Sequence, residues 1–278
     1  MKIEVLMSVM NQSDMSIGYR SKVSTDLLII NQCNREDYFE QIVDGHLWRM
    51  ISTTERGLSK SRNMALNNAR GEICLLADDD EEFKPDCLSV ITKAFVTLPD
   101  ATAIVFNVDR INYQTKMKKK YYSIKQIKEA PSYRGYGSVQ MAFRLLDVKE
   151  RGIHFNEKFG SGTEWGGGED ILFQMDIRNM GLKIYEYPSF VATIDYGNGS
   201  QWFHGYDEKY FYNLGAFYGY VNNGKISTRF LLVSIYTCFY KLRKVKKPNP
   251  FRKMLWMYRG FKGIEKDVPY SLFVAQHR

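Results

Sequence analysis

The apolar run Ile73-Cys74-Leu75-Leu76-Ala77 is followed at once by Asp78, Asp79, Asp80, Glu81 and Glu82. Two like charges about 5 Å apart repel by roughly 3 kcal/mol at an effective dielectric near 20, but by under about 1 kcal/mol in bulk water. A fully solvated acidic turn is therefore tolerable, whereas a half-buried cluster demands a cation. The apolar run delivers Asp78 from the core, which places the first acids at a sheet rather than on a loop tip. Hard carboxylate oxygens suit Mg²⁺ or Mn²⁺, which take one or two protein carboxylates and complete their shell with water and phosphate. A metal held there would stabilise a departing diphosphate. The competing expectation is an exposed turn with Glu81 and Glu82 simply solvated.

A second acidic pair, Glu169-Asp170, follows the glycines Gly166, Gly167 and Gly168 and opens a helical pattern ending near Gly181. At a helix start the macrodipole favours negative charge by up to roughly 1 kcal/mol, so capping alone explains the pair. Trp165 and Trp202 are the right residue type for stacking on a sugar ring or for packing in a core.

Several elements must position these groups. The apolar runs EVLMSVM, TDLLIINQ, EICLLAD and TAIVFNV read as strands, and GLSKSRNMALNNA and PDCLSVITKAFVTL as helices. Runs too continuous for one-sided strands, alternating with helices, predict an α/β domain with a mostly parallel sheet flanked by helices. In such a sheet ligands bind beyond the carboxyl ends of the strands, where Asp78 to Asp80 fall. Residues 109–136 are rich in Lys and Tyr and read as an excursion over the sheet, a hairpin or a lid. SVQMAFRLLDV reads as a strand then a turn, and KIYEYP as the last strand.

The stretch ERGLSKSRNMALNNARGEICLLADDDEEF, residues 55–83, resembles the signature of glycosyltransferase family 2 with the GT-A fold. Its features are a helix carrying Arg-Asn, a Gly-Glu turn, a strand and an Asp-x-Asp motif. GGGEDILFQMDIRNMGLKI, from Gly166 to Ile184, is similar to the family's second block, roughly 90 residues further on. The likeness covers about residues 1–200. It implies transfer of a sugar from a nucleotide donor, with inversion and with Mn²⁺ or Mg²⁺ as cofactor. Asp80 is then the direct metal ligand, with Asp78 beside it or closer to the ribose, and Asp79 in the variable middle position. Arg62 contacts the donor diphosphate or braces the acids. Asp170 is the catalytic base, with Glu169 as the alternative. His204 takes the place of a third metal ligand or a donor lid, and Trp202 that of a donor-side platform. Where many members read the nucleobase with acids, this chain has IINQCNRE, so Asn31, Gln32 and Asn34 would offer amides to a pyrimidine edge. UDP is the first expectation for the donor, and a glycan or lipid-linked carrier for the acceptor, in surface polysaccharide synthesis. A catalytically silent homologue and a nucleotidyltransferase are the alternatives; for the latter, MSVMNQSD at the first strand lacks the Gly-rich phosphate loop.

The chain of 278 residues, 44% hydrophobic and 25% charged, is large enough to fold without disulfides or structural metal. Its four cysteines form no C-x-x-C pair, which favours a reducing, cytoplasmic setting. The N-terminus reads as a first strand rather than a signal peptide, and no run approaches the roughly 20 apolar residues of a membrane span. The net charge of +8 is uneven: residues 225–278 hold 13 Lys or Arg against Glu265 and Asp267, leaving −3 for residues 1–224. The expected division is a glycosyltransferase domain at 1–224, with a nucleotide-binding half at 1–108 and an acceptor half at 109–224, followed by a basic helical extension at 225–278. A basic, aromatic tail fits a peripheral place on the inner face of a cell membrane, or a helix packed on the domain with a solvated face. Nucleic acid is not an expected partner, because a basic tail leaves the strand-end acids unexplained.

Overall fold

The computed structural model describes residues 1–118, 122–197, 205–245 and 248–276. In chain order the first elements are β1 (Ile3–Met10), α1 (Ser16–Arg20), β2 (Asp26–Gln32), β3 (Asp37–Val43), β4 (His46–Thr53), α2 (Leu58–Asn68) and β5 (Ile73–Ala77). They are followed by β6 (Glu81–Phe83), α3 (Cys87–Thr97), β7 (Ala101–Ile111), β8 (Lys128–Glu129), β9 (Met141–Arg144), α4 (Leu145–Glu150), α5 (Glu169–Asn179) and β10 (Lys183–Asp195). Helices α6 (Glu208–Val221), α7 (Thr228–Ile235), α8 (Pro250–Glu265) and α9 (Tyr270–Gln276) complete the order.

The chain divides into two compact units, one of residues 1–157 and 169–199, the other of 158–168 and 200–278. The first is built on one sheet in the order β3-β4-β2-β1-β5-β9-β7-β10-β6, with β8 also on β10. Its strands read as continuous apolar runs because both faces are covered. Val5, Met7, Leu27, Ile29, Ile73 and Leu75 point to a core shared with Ile91 and Phe95 of α3. Their neighbours Leu6, Leu28, Ile30, Cys74 and Leu76 point the other way, to Ala65 and Leu66 of α2 and Phe173 and Ile177 of α5. This strict alternation between two buried faces is the period of a pleated strand.

The sheet is mostly parallel in its residue pairings, as expected, with antiparallel strands joining and edging its parallel blocks. The block β4-β2-β1-β5 is parallel, as is β7 with β10. Strand β9, however, enters antiparallel between β5 and β7, and β3 and β6 close the edges antiparallel. SVQMAFRLLDV is a 3₁₀ turn at Ser138–Gln140, then β9, then helix α4 rather than a turn. Strand β10 runs well past KIYEYP, accommodating the exposed Pro188 where its register against β7 shifts between Glu186 and Phe190.

Residues 122–136 are fastened to the sheet rather than free as a lid. Ile124 is buried, and its backbone N–H and C=O both bond the Asn107 side chain at 2.8 and 3.0 Å. Further on, Glu186, fully buried on β10, accepts from Tyr136 Oη at 2.5 Å and pairs with Lys128 at 3.4 Å. On β1, buried Glu4 pairs with Arg49 at 2.6 Å and accepts the backbone N–H groups of Arg70 and Gly71 at 2.6 and 2.8 Å. This close approach explains the glycine of the Gly-Glu turn: a Cβ on Gly71 would stand 2.7 Å from that of Glu4.

The second unit is helical. Helices α6 and α8 cross at glycines: a Cβ on Gly215 would lie 1.8 Å from the Met257 carbonyl oxygen, and one on Gly260 1.8 Å from that of Tyr212. Backbone thus meets backbone, with Trp256 and Phe211 buried beside the crossing.

Candidate functional site

Both acidic blocks of the sequence converge on one cation. Arg62, on the buried side of α2 and only 3% exposed, donates from Nη1 to Asp170 Oδ1 at 2.6 Å and from Nη2 to Ser138 Oγ at 2.5 Å. Nη2 also reaches Asp78 Oδ1 at 3.4 Å, and Nη1 lies 3.6 Å from Glu169 Oε1. The Ser138 backbone N–H donates to Asp170 Oδ2 at 3.0 Å, closing a ring of Arg62, Ser138 and Asp170. Below the guanidinium lies the Phe155 ring, 5.4 Å from Cζ to the centroid. Burial works against the Arg62 charge, but Asp170, Asp78 and Glu169 more than offset it and hold it protonated. Arg62 thus pairs with acids of both blocks.

The strand-end acids are unevenly served. Asp78, half-buried where β5 ends, is pushed above the usual carboxylate range by loss of solvent, which the long contact to Arg62 only partly offsets. Desolvation and then the charges of Asp78 and Asp79 push Asp80 up to about 6, although its side chain is open to solvent. Asp79 is exposed. Glu81 departs most from expectation: as the inward residue of β6 it is 1% exposed, and neither carboxylate oxygen has a hydrogen-bond partner among the described residues. Burial, then Asp78 and Asp80, hold it well above the usual range. Glu82, partly exposed, pairs with Lys22 at 2.7 Å. Arg110 on β7 supplies a compensating charge toward Asp80 and Glu81.

This arrangement fits a divalent cation. Among the described residues no three His, Cys, Asp or Glu side chains form a ready-made cage. A metal arriving with a diphosphate needs only one or two carboxylates, and Asp78 and Asp80 are under-neutralised while the orphaned oxygens of Glu81 lie close behind them. The crowding has a measurable cost in the metal-free protein. Asp80 binds its proton more tightly folded than unfolded, so its contribution to stability falls as pH rises from 3.8 to about 6. Asp80→Asn is therefore expected to melt higher than the parent at neutral pH in EDTA, the difference vanishing in acid. Melting curves across that range check it; an unchanged or lower neutral melting temperature contradicts it.

Other expected site residues sit elsewhere. Asn31 is fully buried: its Nδ2 donates to the Gln12 carbonyl at 2.8 Å and Ser52 Oγ at 3.1 Å, and its Oδ1 accepts from the Gln12 N–H at 2.9 Å. Gln32 Oε1 accepts from Gly57 N–H at 2.7 Å, just before α2, and Asn34 Oδ1 from Arg56 at 2.7 Å. Asn31 and Gln32 are thus engaged at the buried strand end, Asn31 shaping the loop after β1, whereas Asn34 is exposed. Trp165 is 4% exposed and stacked with Tyr212 at 6.4 Å in the second unit, a packing role rather than a sugar platform. Trp202 and His204 lie outside the described residues. Ser138 was missed by sequence reasoning; one serine in a loop 76 residues from Arg62 carries no local signal.

A family model described as Glycosyl transferase family 2 matches residues 4–162, 159 of the 278. The chain belongs to glycosyl transferase family 2. It is accordingly a glycosyltransferase, and the Asp-x-Asp strand end lies within the matched span. No curated protein matches it. Among solved structures, S. aureus TarS 1-349 in complex with UDP-GlcNAc superposes with a TM-score of 0.64 at 16% identity, over 99% of this chain and 83% of that one. TarS 1-349 in complex with UDP gives 0.60 at 14%, over 100% and 92%. The longer S. aureus TarS gives 0.54 at 15%, over 96% of this chain and 55% of that one. At such identities the likeness shows the fold, a GT-A-like sheet flanked by helices. No helix among the described residues is long and apolar enough to cross a membrane.

Proposed function

We propose that this family 2 enzyme transfers a sugar from a UDP-sugar to a hydroxyl of a glycan or lipid-linked acceptor, with inversion at the anomeric carbon, in cell-surface polysaccharide synthesis. The carrying observation is Arg62, which holds the end of β5 and the start of α5 in one constellation. Asp170 is the base. Arg62 and the Ser138 N–H occupy one lone pair on each of its oxygens, leaving the others to accept the acceptor hydroxyl. Its side chain is 24% exposed, against 8% for Glu169, which ranks Asp170 ahead. As Asp170 takes the proton, the hydroxyl oxygen bonds to the anomeric carbon. The bond to the diphosphate breaks on the opposite face, and the diphosphate leaves with the electron pair.

Asp80 and Asp78 would hold Mn²⁺ or Mg²⁺, with Asp79 beside the donor; when bound, the ion supplies charge neutralisation to the leaving diphosphate. The expectation that His204 ligates the metal and Trp202 covers the donor is kept as part of this proposal. UDP is favoured by the TarS complexes with UDP and UDP-GlcNAc. Four buried free thiols fit a reducing compartment such as the cytoplasm. Calorimetric titration of UDP and of GDP, with Mn²⁺ and with EDTA, tests the donor site. Metal-dependent binding of UDP, lost in Asp80→Ala, is the expected result. Equal binding in EDTA refutes the metal role, and GDP alone binding refutes the base assignment.

A further inference from the structure

The second unit carries an outward face that no contact among the described residues covers. Helix α7 continues as a π-helix over Tyr236–Lys241, and its inner side is packed: the Phe230 ring meets Phe261 at 4.4 Å, and Cys238 Sγ lies 3.7 Å from Met257 Sδ. Its outer side presents Leu232, Tyr236 and Tyr240, spaced by four, at 67%, 59% and 65% exposure. The Tyr236 and Tyr240 rings lie nearly parallel, 14° apart with centroids at 6.5 Å, so they share one side. Phe239 touches Phe251 edge-on at 5.4 Å, which joins this side to the first turn of α8. There Phe251, Leu255 and Tyr258, at i, i+4 and i+7, are 75%, 45% and 47% exposed, while Lys253, Trp256, Met257 and Phe261 are buried beneath.

The segment that carries this face has one sign of charge, and Glu208 of α6 meets it in a 2.6 Å pair with Arg252. Residues 225–264 contain eleven Lys or Arg and no acid. One of these is structural: Lys253 is buried, its ammonium donating to the Leu242 and Val245 carbonyls at 3.1 and 2.6 Å, just past the π-helix. Lys225, Arg229, Lys241, Arg243 and Lys244 are instead exposed and form no ion pair among the described residues.

We propose that this face docks on an anionic lipid surface, with Leu232, Tyr236, Tyr240, Phe251, Leu255 and Tyr258 entering the interface and the five cations meeting headgroup phosphates. Aromatic and aliphatic side chains flanked by unpaired Lys and Arg are the composition of a surface-lying amphipathic segment. A second copy of the chain is a poor occupant. A twofold contact sets the same patch against itself, so five cations would face five with no acid between them. The inference is independent of the donor and base assignments.

Sedimentation of the full chain with vesicles tests it. Phosphatidylcholine mixed with an equal part of phosphatidylglycerol is expected to bind the protein, and phosphatidylcholine alone to bind at least tenfold less. Two variants separate the contributions: Lys241→Glu with Lys244→Glu, and Tyr240→Ser with Phe251→Ser. Each is expected to weaken anionic-vesicle binding at least tenfold while leaving the melting temperature and metal-dependent UDP binding unchanged; all four side chains are exposed and distant in sequence from the acids. No binding to anionic vesicles, equal binding to both compositions, or variants that bind like the parent would each overturn the proposal. So would a dimer in solution that the Tyr240→Ser, Phe251→Ser variant dissociates, since the face would then be occupied by a second copy.

Discussion

Asp170→Asn is expected to lower turnover by about 10²–10⁴-fold, the range for loss of a general base, with little change in donor binding. The amide keeps the volume of the carboxylate and one acceptor oxygen for Arg62. Its NH₂ then faces the Ser138 N–H, where the native Oδ2 accepts at 3.0 Å, so local hydrogen bonding is disturbed as well as the chemistry. Glu169→Gln serves as the comparison. That residue is buried at the helix start, 3.6 Å from Arg62, and should lose much less. Steady-state kinetics with a UDP-sugar, reading UDP release and glycosyl product together, decide the matter. Turnover of Asp170→Asn within a few-fold of the parent, or a larger loss in Glu169→Gln, would remove Asp170 from its role.

Arg62→Ala is expected to be the most disruptive single change in the first unit. It leaves Asp170, Glu169 and Asp78 without the cation they share, and breaking a buried pair in this way costs about 3–5 kcal/mol. Arg62→Lys separates the electrostatic part from the geometric one. A lysine restores the charge but not the planar fork that reaches Asp170, Ser138 and Asp78 together. The lysine variant should therefore recover much of the stability and little of the turnover. Denaturant melts paired with kinetics test this; an alanine variant within about 0.5 kcal/mol of the parent would show the constellation to be only a surface arrangement.

Strands β1, β2 and β5 were legible in the sequence because burial on both faces writes them as unbroken apolar runs, and the acids at the end of β5 then had to emerge at the sheet. Strand β3 was not, since each of its residues is exposed or half-exposed at the sheet edge and no apolar run survives. The available signal was the turn: Asp44 and Gly45 both have positive φ, 49° and 83°, and Asp-Gly between alternating residues marks a tight hairpin. The burial of Glu81 was hidden for a different reason. A three-residue strand shows in-out-in only once its partner is known, and Glu81 pairs with Ile194, more than a hundred residues later. The amides of IINQCNRE were legible as a departure from the family pattern. Their commitment to Gln12, Ser52, Gly57 and Arg56 depends on contacts that no local pattern encodes.

The placement of β9 bears on the order in which the enzyme can come into being. Only four residues long, it is the strand that joins β5 to β7, and its neighbours in sequence include Ser138 and α4. Until residues 141–144 are in place, the β4-β2-β1-β5 block and the β7–β10 block share no ladder among the described residues. The Arg62–Asp170 contact spans 108 residues, and closing so long a segment is rewarded only after the strands between have aligned. During synthesis the acids of β5 thus appear early, but the cation beside them gains its second carboxylate only when α5 has emerged. On the proposed assignment of Asp170 as base, catalytic competence is a late event of folding, and a chain cut before α5 lacks both Glu169 and Asp170.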